Sequence, residues 1–213
     1  MFYGAALAGG KSQRMGRDKT RLQLHGETLL ANAAQLLKSA GADTVLVSGP
    51  RQEPDAEYVP DIEFGTALGG PPLALYSMLE YVSSKEGLKG QGLLVIPVDM
   101  PGLNAEVLQL LINEAGQEKA GHFEGEVFPC CFKLTEELHE ILSQGLRDEK
   151  VAFKKGKDVL ETQNQKQKRF SMKKIFTLLE AKVVPHEFNS EVFSNINTPD
   201  DWRNFKNHLI VNQ

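Results

Sequence analysis

Apolar and polar positions fall into short blocks along this chain. Phe2 to Leu7 is an apolar run that ends at Gly9 and Gly10, the pattern of a buried first strand leading into a loop. From Leu29 to Ser39 the apolar residues Leu29, Leu30, Ala33, Leu36 and Leu37 recur at helical spacing, and Gly41 supplies a stop. Thr44 to Ser48 is β-branched and apolar, which predicts a second strand, and Glu57 to Val59 predicts a short third strand leading to Asp61. Gly69, Gly70, Pro71 and Pro72 open a helix to about Val82, since proline suits the first helical turn where no N–H bond is lost. Leu93 to Val98 is continuously apolar, as a central parallel strand buried on both faces should be, and Asp99 stands at its end. Asn104 then caps a helix whose apolar face is Val107, Leu108, Leu111 and Ile112.

The second half is less regular. Val127 to Leu134 predicts a strand, and Thr135 caps a helix to about Leu146. Residues 147 to 170 are polar and basic, which fits either a surface loop or a substrate-facing flap. Ile175 to Leu179 reads as helix, Lys182 to His186 as extended, and Pro199 begins a last helix through Trp202 and Phe205. Strands and helices alternating in this way predict an α/β fold: a three-layer, doubly wound, mostly parallel sheet. With 213 residues, no repeat and no clear linker, the chain is expected to form one domain over 1–213, with a first half over 1–115 and a second over 116–213.

Composition narrows the function classes. A net charge of −4 gives no broad basic surface for nucleic acid, although it says nothing about one cleft. No apolar run approaches the roughly 18 residues of a membrane span, and no basic residue precedes the first apolar run, which reads as a strand rather than a signal peptide. The two cysteines, Cys130 and Cys131, are adjacent; that spacing makes neither a zinc site nor a loop-closing disulfide, and it fits a reducing, cytoplasmic compartment.

The chemistry begins after the first strand, at Leu7-Ala8-Gly9-Gly10. A glycine-rich turn exposes backbone N–H groups that can wrap phosphate oxygens. Lys11, Arg14, Arg17 and Lys19 add four cations within nine residues, suited to offset a triphosphate. The Rossmann pattern GxGxxG is absent from this loop. Gly10-Lys11-Ser12 looks like the end of a P-loop, but the glycine that motif needs five residues earlier is Ala5.

The segment LAGGKSQRMGRDKTRLQLHGETLL resembles the signature of the molybdenum cofactor guanylyltransferase family, approximately LAGGxSxRMGxDKxxLxxxGxxLL, at nearly every fixed position. Further segments are similar to family motifs through the rest of the chain: VPDIEFGTALGGPPLAL, IPVDMPGL, EVFPCCF, RFSMKKIF and FSNINTPDDW. The resemblance implies transfer of GMP from GTP to the terminal phosphate of the molybdopterin cofactor, with Mg²⁺ as cofactor and a transient contact with molybdoenzyme-maturation proteins. It implies catalytic roles for Lys19, Arg14 and Asp99. Nucleotide contacts would come from Leu7, Ala8, Gly9, Gly10, Lys19, Ser48, Asp61 and Asp99, with Asp99 holding the metal. Acceptor contacts would come from Arg169, Lys173, Asn195 and Asn197. One departure stands out. Pro71 occupies a place where the family turn has glycine, and proline has no N–H to offer a base.

Asp99 also stands on its own residue-level argument, because a carboxylate at the C-terminal end of a buried strand sits where open α/β sheets bind ligands and suits Mg²⁺ bridging phosphate oxygens. The competing readings are a transferase of the same fold that uses CTP or a sugar-phosphate acceptor, and a nucleotide-binding regulator without catalysis. Lys19 and Asp99 together argue against the regulator.

Overall fold

The computed structural model describes residues 1–9, 18–49, 53–63, 69–158 and 170–211. In chain order the elements are β1 (Phe2–Leu7), a 3₁₀ turn (Lys19–Arg21), β2 (Gln23–Leu24), β3 (Glu27–Thr28), α1 (Leu29–Ser39), β4 (Thr44–Ser48) and β5 (Glu57–Val59). Then follow α2 (Pro71–Glu86), β6 (Gln91–Pro97), α3 (Ala105–Ala115), β7 (Ala120–Phe123), β8 (Cys130–Leu134) and α4 (Glu136–Asp158). The chain closes with α5 (Met172–Leu179), β9 (Lys182–Val184), a second 3₁₀ turn (Ser190–Phe193) and α6 (Pro199–Val211).

Seven strands form one sheet in the order β5-β4-β1-β6-β8-β7-β9. β8 runs antiparallel to both of its neighbours, while the pairs β5–β4, β4–β1, β1–β6 and β7–β9 are parallel. Every strand of the sheet except β8 therefore points the same way, and their C-terminal ends share one edge.

Alternation along the strands divides the core into two layers. Tyr3, Ala5 and Leu7 of β1, Leu93 and Val95 of β6 and Phe132 of β8 face Leu75 and Leu79 of α2, Leu138 and Leu142 of α4, and Ile175 of α5. On the other face Ala6, Val45, Val47, Leu94 and Ile96 pack under Leu30 and Leu37 of α1 and Leu108 and Leu111 of α3. A third, smaller cluster joins Leu22, Leu29, Ile196 and Trp202, with Leu24 and Phe205 against it. Burying each such large side chain contributes about 1.5–3 kcal/mol, so this cluster ties α6 to the turn that follows the first loop.

The predicted α/β architecture is present, with four local corrections. β6 is paired in parallel on one side only, because β8 lies antiparallel on the other. The strand expected over Val127–Leu134 begins at Cys130, after Pro129, which has no N–H for a ladder. α2 continues to Glu86 and α4 to Asp158, beyond the ends read from their apolar faces. The extension of α4 runs into the stretch taken for a loop or flap; its arginine, lysine and glutamate residues are good helix formers, and Gln144 bonds Asp148 one turn on at 2.7 Å. Residues 159–169 lie outside the described part, and with them the rest of that expectation.

Candidate functional site

β1 leaves the sheet at its C-terminal edge and its exit is tied down on both sides. The Ala8 N–H donates to the Ser48 carbonyl at 3.1 Å, and the Val98 N–H donates to the Leu7 carbonyl at 3.2 Å. Gly49 makes this approach possible. Its φ is +106°, and a Cβ there would lie 2.9 Å from the Ala8 carbonyl carbon and 2.9 Å from the Gly9 nitrogen. Leu7, Ala8 and Gly9 thereby present backbone at the mouth of the sheet. Gly10, Lys11, Arg14 and Arg17 lie outside the described residues.

The chain is described again from Asp18, whose carboxylate caps the 3₁₀ turn by accepting from the Thr20 N–H at 3.1 Å and the Thr20 hydroxyl at 2.7 Å. This cap fixes the direction of Lys19. Its Nζ donates to Asp99 Oδ2 at 3.0 Å and to Asn197 Oδ1 at 2.8 Å. The side chains of Lys19 and Asp99 are only 14% and 23% exposed, so the charges meet in a setting that screens them less than open water does. Lys19 and Asp99, with Leu7, Ala8, Gly9, Thr20, Pro71, Pro97, Val98, Phe128 and Asn195, wall a cavity of about 310 Å³.

The late segment is held to this wall by its backbone. The Ile196 N–H donates to the Asp99 carbonyl at 2.8 Å. Thr198 then starts α6 with a capping box: its hydroxyl accepts from the Asp201 N–H at 3.1 Å, and Asp201 Oδ2 accepts from the Thr198 N–H at 2.8 Å. The same carboxylate oxygen also accepts from the Asn197 N–H at 2.8 Å. The bonds from Asn197 and Thr198 hold the Asp201 carboxyl below its usual range, and the nearby Lys19 charge acts in the same direction.

The structure thus gathers Leu7, Ala8, Gly9, Lys19, Asp99, Asn195 and Asn197 at one place. Ser48 lies beneath the loop, 2% exposed, with its carbonyl holding Ala8. Asp61 stands apart from the cavity wall, on an exposed stretch after β5, where partial desolvation raises its pKa. Lys173 lines a different cavity of about 410 Å³, between α5 and the β7–β9 edge, together with His122, Glu126 and Thr177. Arg169, like Arg14, lies outside the described residues. A cleft of about 340 Å³ between α1 and the residues after β6 is lined by apolar groups such as Leu29, Leu36 and Leu103 together with His25, Asn32 and Gln35, and among the described residues no lysine or arginine lines it.

Sequence reasoning missed Thr20, Phe128 and Asp201. Thr20 and Phe128 carry no recognisable spacing. Asp201 does, because Thr198-Pro199-Asp200-Asp201 is a capping-box pattern with an aspartate in the third helical position. Among the described residues no group of three or more His, Cys, Asp or Glu side chains is placed to hold a metal ion. Asp99 alone fits the habit of Mg²⁺, which is bound by one or two carboxylates with substrate phosphates and water completing its octahedron.

Comparison with known proteins gives the family and the fold. Residues 4–166 match the model of the MobA-like NTP transferase domain. A molybdenum cofactor guanylyltransferase of Xanthomonas euvesicatoria pv. vesicatoria is 37% identical over 144 residues, covering 67% of this chain and 69% of that protein. The crystal structure of molybdopterin-guanine dinucleotide biosynthesis protein A from Archaeoglobus fulgidus superposes with a TM-score of 0.66 at 19% identity, over 98% of both chains. A Mycobacterium tuberculosis protein solved in complex with manganese shares the fold with a TM-score of 0.54 at 15% identity, over 96% of this chain and 97% of that one. With the family model spanning most of the sequence, the chain belongs to the MobA-like NTP transferase domain family.

Proposed function

We propose that this protein transfers GMP from GTP to the terminal phosphate of molybdopterin, releasing pyrophosphate. The observation that carries the reading is the Lys19–Asp99 pair on the wall of the cavity into which Leu7, Ala8 and Gly9 present their backbone. Family membership and the similarity to the molybdenum cofactor guanylyltransferase of Xanthomonas support the substrate pair.

The chemistry asks little of acid–base groups. The acceptor phosphate is already anionic at neutral pH. One of its oxygens forms a bond to the α-phosphorus of GTP while the bridging bond to the β-phosphate breaks, and the electron pair leaves with pyrophosphate. The chain has to align attacker and leaving group and offset the charge that builds on the phosphoryl oxygens. Backbone N–H groups around Gly9 would hold phosphate. Lys19 would turn from Asp99 toward the transferred group, while Asn197 keeps hold of its ammonium. Asp99 would hold Mg²⁺ at the phosphates, supplying positive charge that polarises the phosphoryl group.

The first half of the chain, 1–115, then serves the nucleotide, and the second half, 116–213, the acceptor. Asn195, on the cavity wall, and Lys173, in the cavity beyond the 124–129 loop, are assigned to the acceptor. Ser48, at the end of β4, and Asp61, after β5, are assigned to the nucleotide. The buried free thiols of Cys130 and Cys131 suit a reducing compartment such as the cytoplasm, where maturation proteins would deliver and collect the cofactor.

The test is direct. Purified protein with GTP, Mg²⁺ and molybdopterin-bearing acceptor should give the guanine dinucleotide by mass spectrometry, with one pyrophosphate released per product. Thermal melts should shift with Mg²⁺ and GTP more than with Mg²⁺ and CTP or ATP. Equal shifts with CTP would overturn the base assignment, which Pro71 on the cavity wall makes the decisive arm. No shift with any nucleotide would leave a fold without catalysis.

A further inference from the structure

Lys19 is aimed by a chain of contacts that runs back to the start of α6. Asn197 Oδ1 accepts from Lys19 Nζ at 2.8 Å, and the backbone of Asn197 is itself fixed by the Asp201 carboxylate, again at 2.8 Å. An ordinary capping box asks the Asp201 carboxylate only to accept from the Thr198 N–H, in return for the bond from the Asp201 N–H to the Thr198 hydroxyl. The additional bond reaches one residue further back, to the residue whose side chain holds Lys19. Ile196, immediately before it, is pinned to the Asp99 carbonyl and buried in the cluster with Leu22 and Trp202. Asn197 is thereby fixed on both sides while its amide oxygen points at the ammonium.

We infer that Asp201 is a positioning residue, which acts through Asn197 to hold the Lys19 ammonium where the transferred phosphoryl group will be met. The inference rests on the role given to Lys19 under the proposed function. Helix capping alone would make Asp201 and Thr198 equivalent, because each supplies half of the box. Positioning makes them different, because only Asp201 bonds Asn197.

Two measurements separate these roles. The first uses the ligand-free protein: competitive acetylation read by mass spectrometry, comparing Lys19 with the distant Lys85. Asn197→Ala and Asp201→Ala should each raise Lys19 labelling about threefold or more, and the double variant should rise no further than Asn197→Ala alone, the signature of one pathway. Thr198→Ala, matched for its loss of melting temperature, should leave Lys19 labelling near the wild-type value. The second is turnover. Asp201→Ala should lower kcat about tenfold with the KM for GTP changed less than threefold, Asp201→Glu should restore part of the loss, and Asp201→Ala should add nothing in the Asn197→Ala background. Additive effects of the two alanines, or equal labelling in Thr198→Ala and Asp201→Ala at matched stability, would overturn the inference. The labelling result does not depend on substrate identity, so absence of guanylyl transfer by the wild-type protein would refute the proposed function alone.

Discussion

The Lys19 ammonium lies 3.0 Å from Asp99 Oδ2, on the carboxylate assigned to the metal. A cation already occupies the place where a divalent ion would compete. At about 4 Å and an effective dielectric near 20 such a pair is worth about 4 kcal/mol before solvent is counted, and partial exposure reduces this to a fraction. Free metal should therefore bind weakly until nucleotide phosphates draw Lys19 away. Lys19→Met is expected to bind Mn²⁺ without nucleotide about tenfold more tightly, measured by electron paramagnetic resonance, while transfer falls 100-fold or more through loss of a charge at the phosphoryl group. Unchanged Mn²⁺ affinity would show that the ion pair does not restrain Asp99.

Replacing Asp99 by Asn separates metal from fold. The Asp99 carbonyl, not its side chain, accepts the Ile196 N–H, so the backbone of the site should survive. Transfer should drop at least 100-fold, and the melting temperature should move by less than about 4 °C, which for a chain of this size is about 1 kcal/mol. Near-wild-type turnover in Asp99→Asn would remove Asp99 from the metal role.

Much of this architecture is legible in sequence, for physical reasons that also explain the gaps. α1 is read to the residue because Leu29, Leu30, Ala33 and Leu37 are all buried on one stripe and Thr28 caps it. Lys19 and Asp99 stand out because a lysine just past a glycine-rich turn and an aspartate ending a buried strand are unusual placements for charges. β7 escapes notice because Ala120-Gly121-His122-Phe123 is short and holds a glycine, kept small by Ala115, whose Cβ would be 2.3 Å from a Cβ at 121. The contact between Lys19 and Asn197 joins residues 178 positions apart, and no local pattern encodes that distance. It depends on Ile196 and Trp202 meeting Leu22 and Leu29, which only the folded chain brings together.

Gly49 lets the backbone of Ala8 and Gly9 lie close against the end of β4. A side chain there meets two obstacles at once, a φ of +106° and the backbone of Ala8 and Gly9 at 2.9 Å. Backbone cannot yield as a flexible side chain does. Gly49→Ala should destabilise the protein by about 2–4 kcal/mol, visible in urea unfolding, and should weaken GTP binding because Leu7–Gly9 must shift. A fully stable Gly49→Ala variant with wild-type GTP affinity would show that the loop tolerates displacement.

Leu22 is expected to link stability to turnover. It is 4% exposed and packs with Leu29, Ile196 and Trp202 immediately after the turn that carries Lys19. Leu22→Ala should lose about 2–4 kcal/mol. Trp202 is the only tryptophan, so its emission reports on this cluster alone and should shift to longer wavelength as water enters. kcat should fall in the same variant even well below its melting temperature. Loss of stability without any loss of kcat would mean that the 3₁₀ turn holds Lys19 without help from α6.

The adjacent thiols of β8 give a prediction in pH. Burial pushes the Cys131 thiol up to about 12 and raises Cys130 well above its ordinary value, the neighbouring thiol adding to the effect. Both therefore stay protonated in the folded protein at pH values where an unfolded chain would ionise. An acid whose pKa is raised by folding leaves stability intact below its unfolded pKa, near 9 here, and stability falls as pH rises above it toward the folded value. Urea midpoints should accordingly be level from about pH 7 to 8 and decline above pH 9, and a Cys130→Ser, Cys131→Ala variant should decline less. Iodoacetamide should label the native protein slowly at pH 8, at a rate set by opening of the sheet, and quickly once it is unfolded. Rapid labelling of native protein would show that β8 opens independently of the rest of the core.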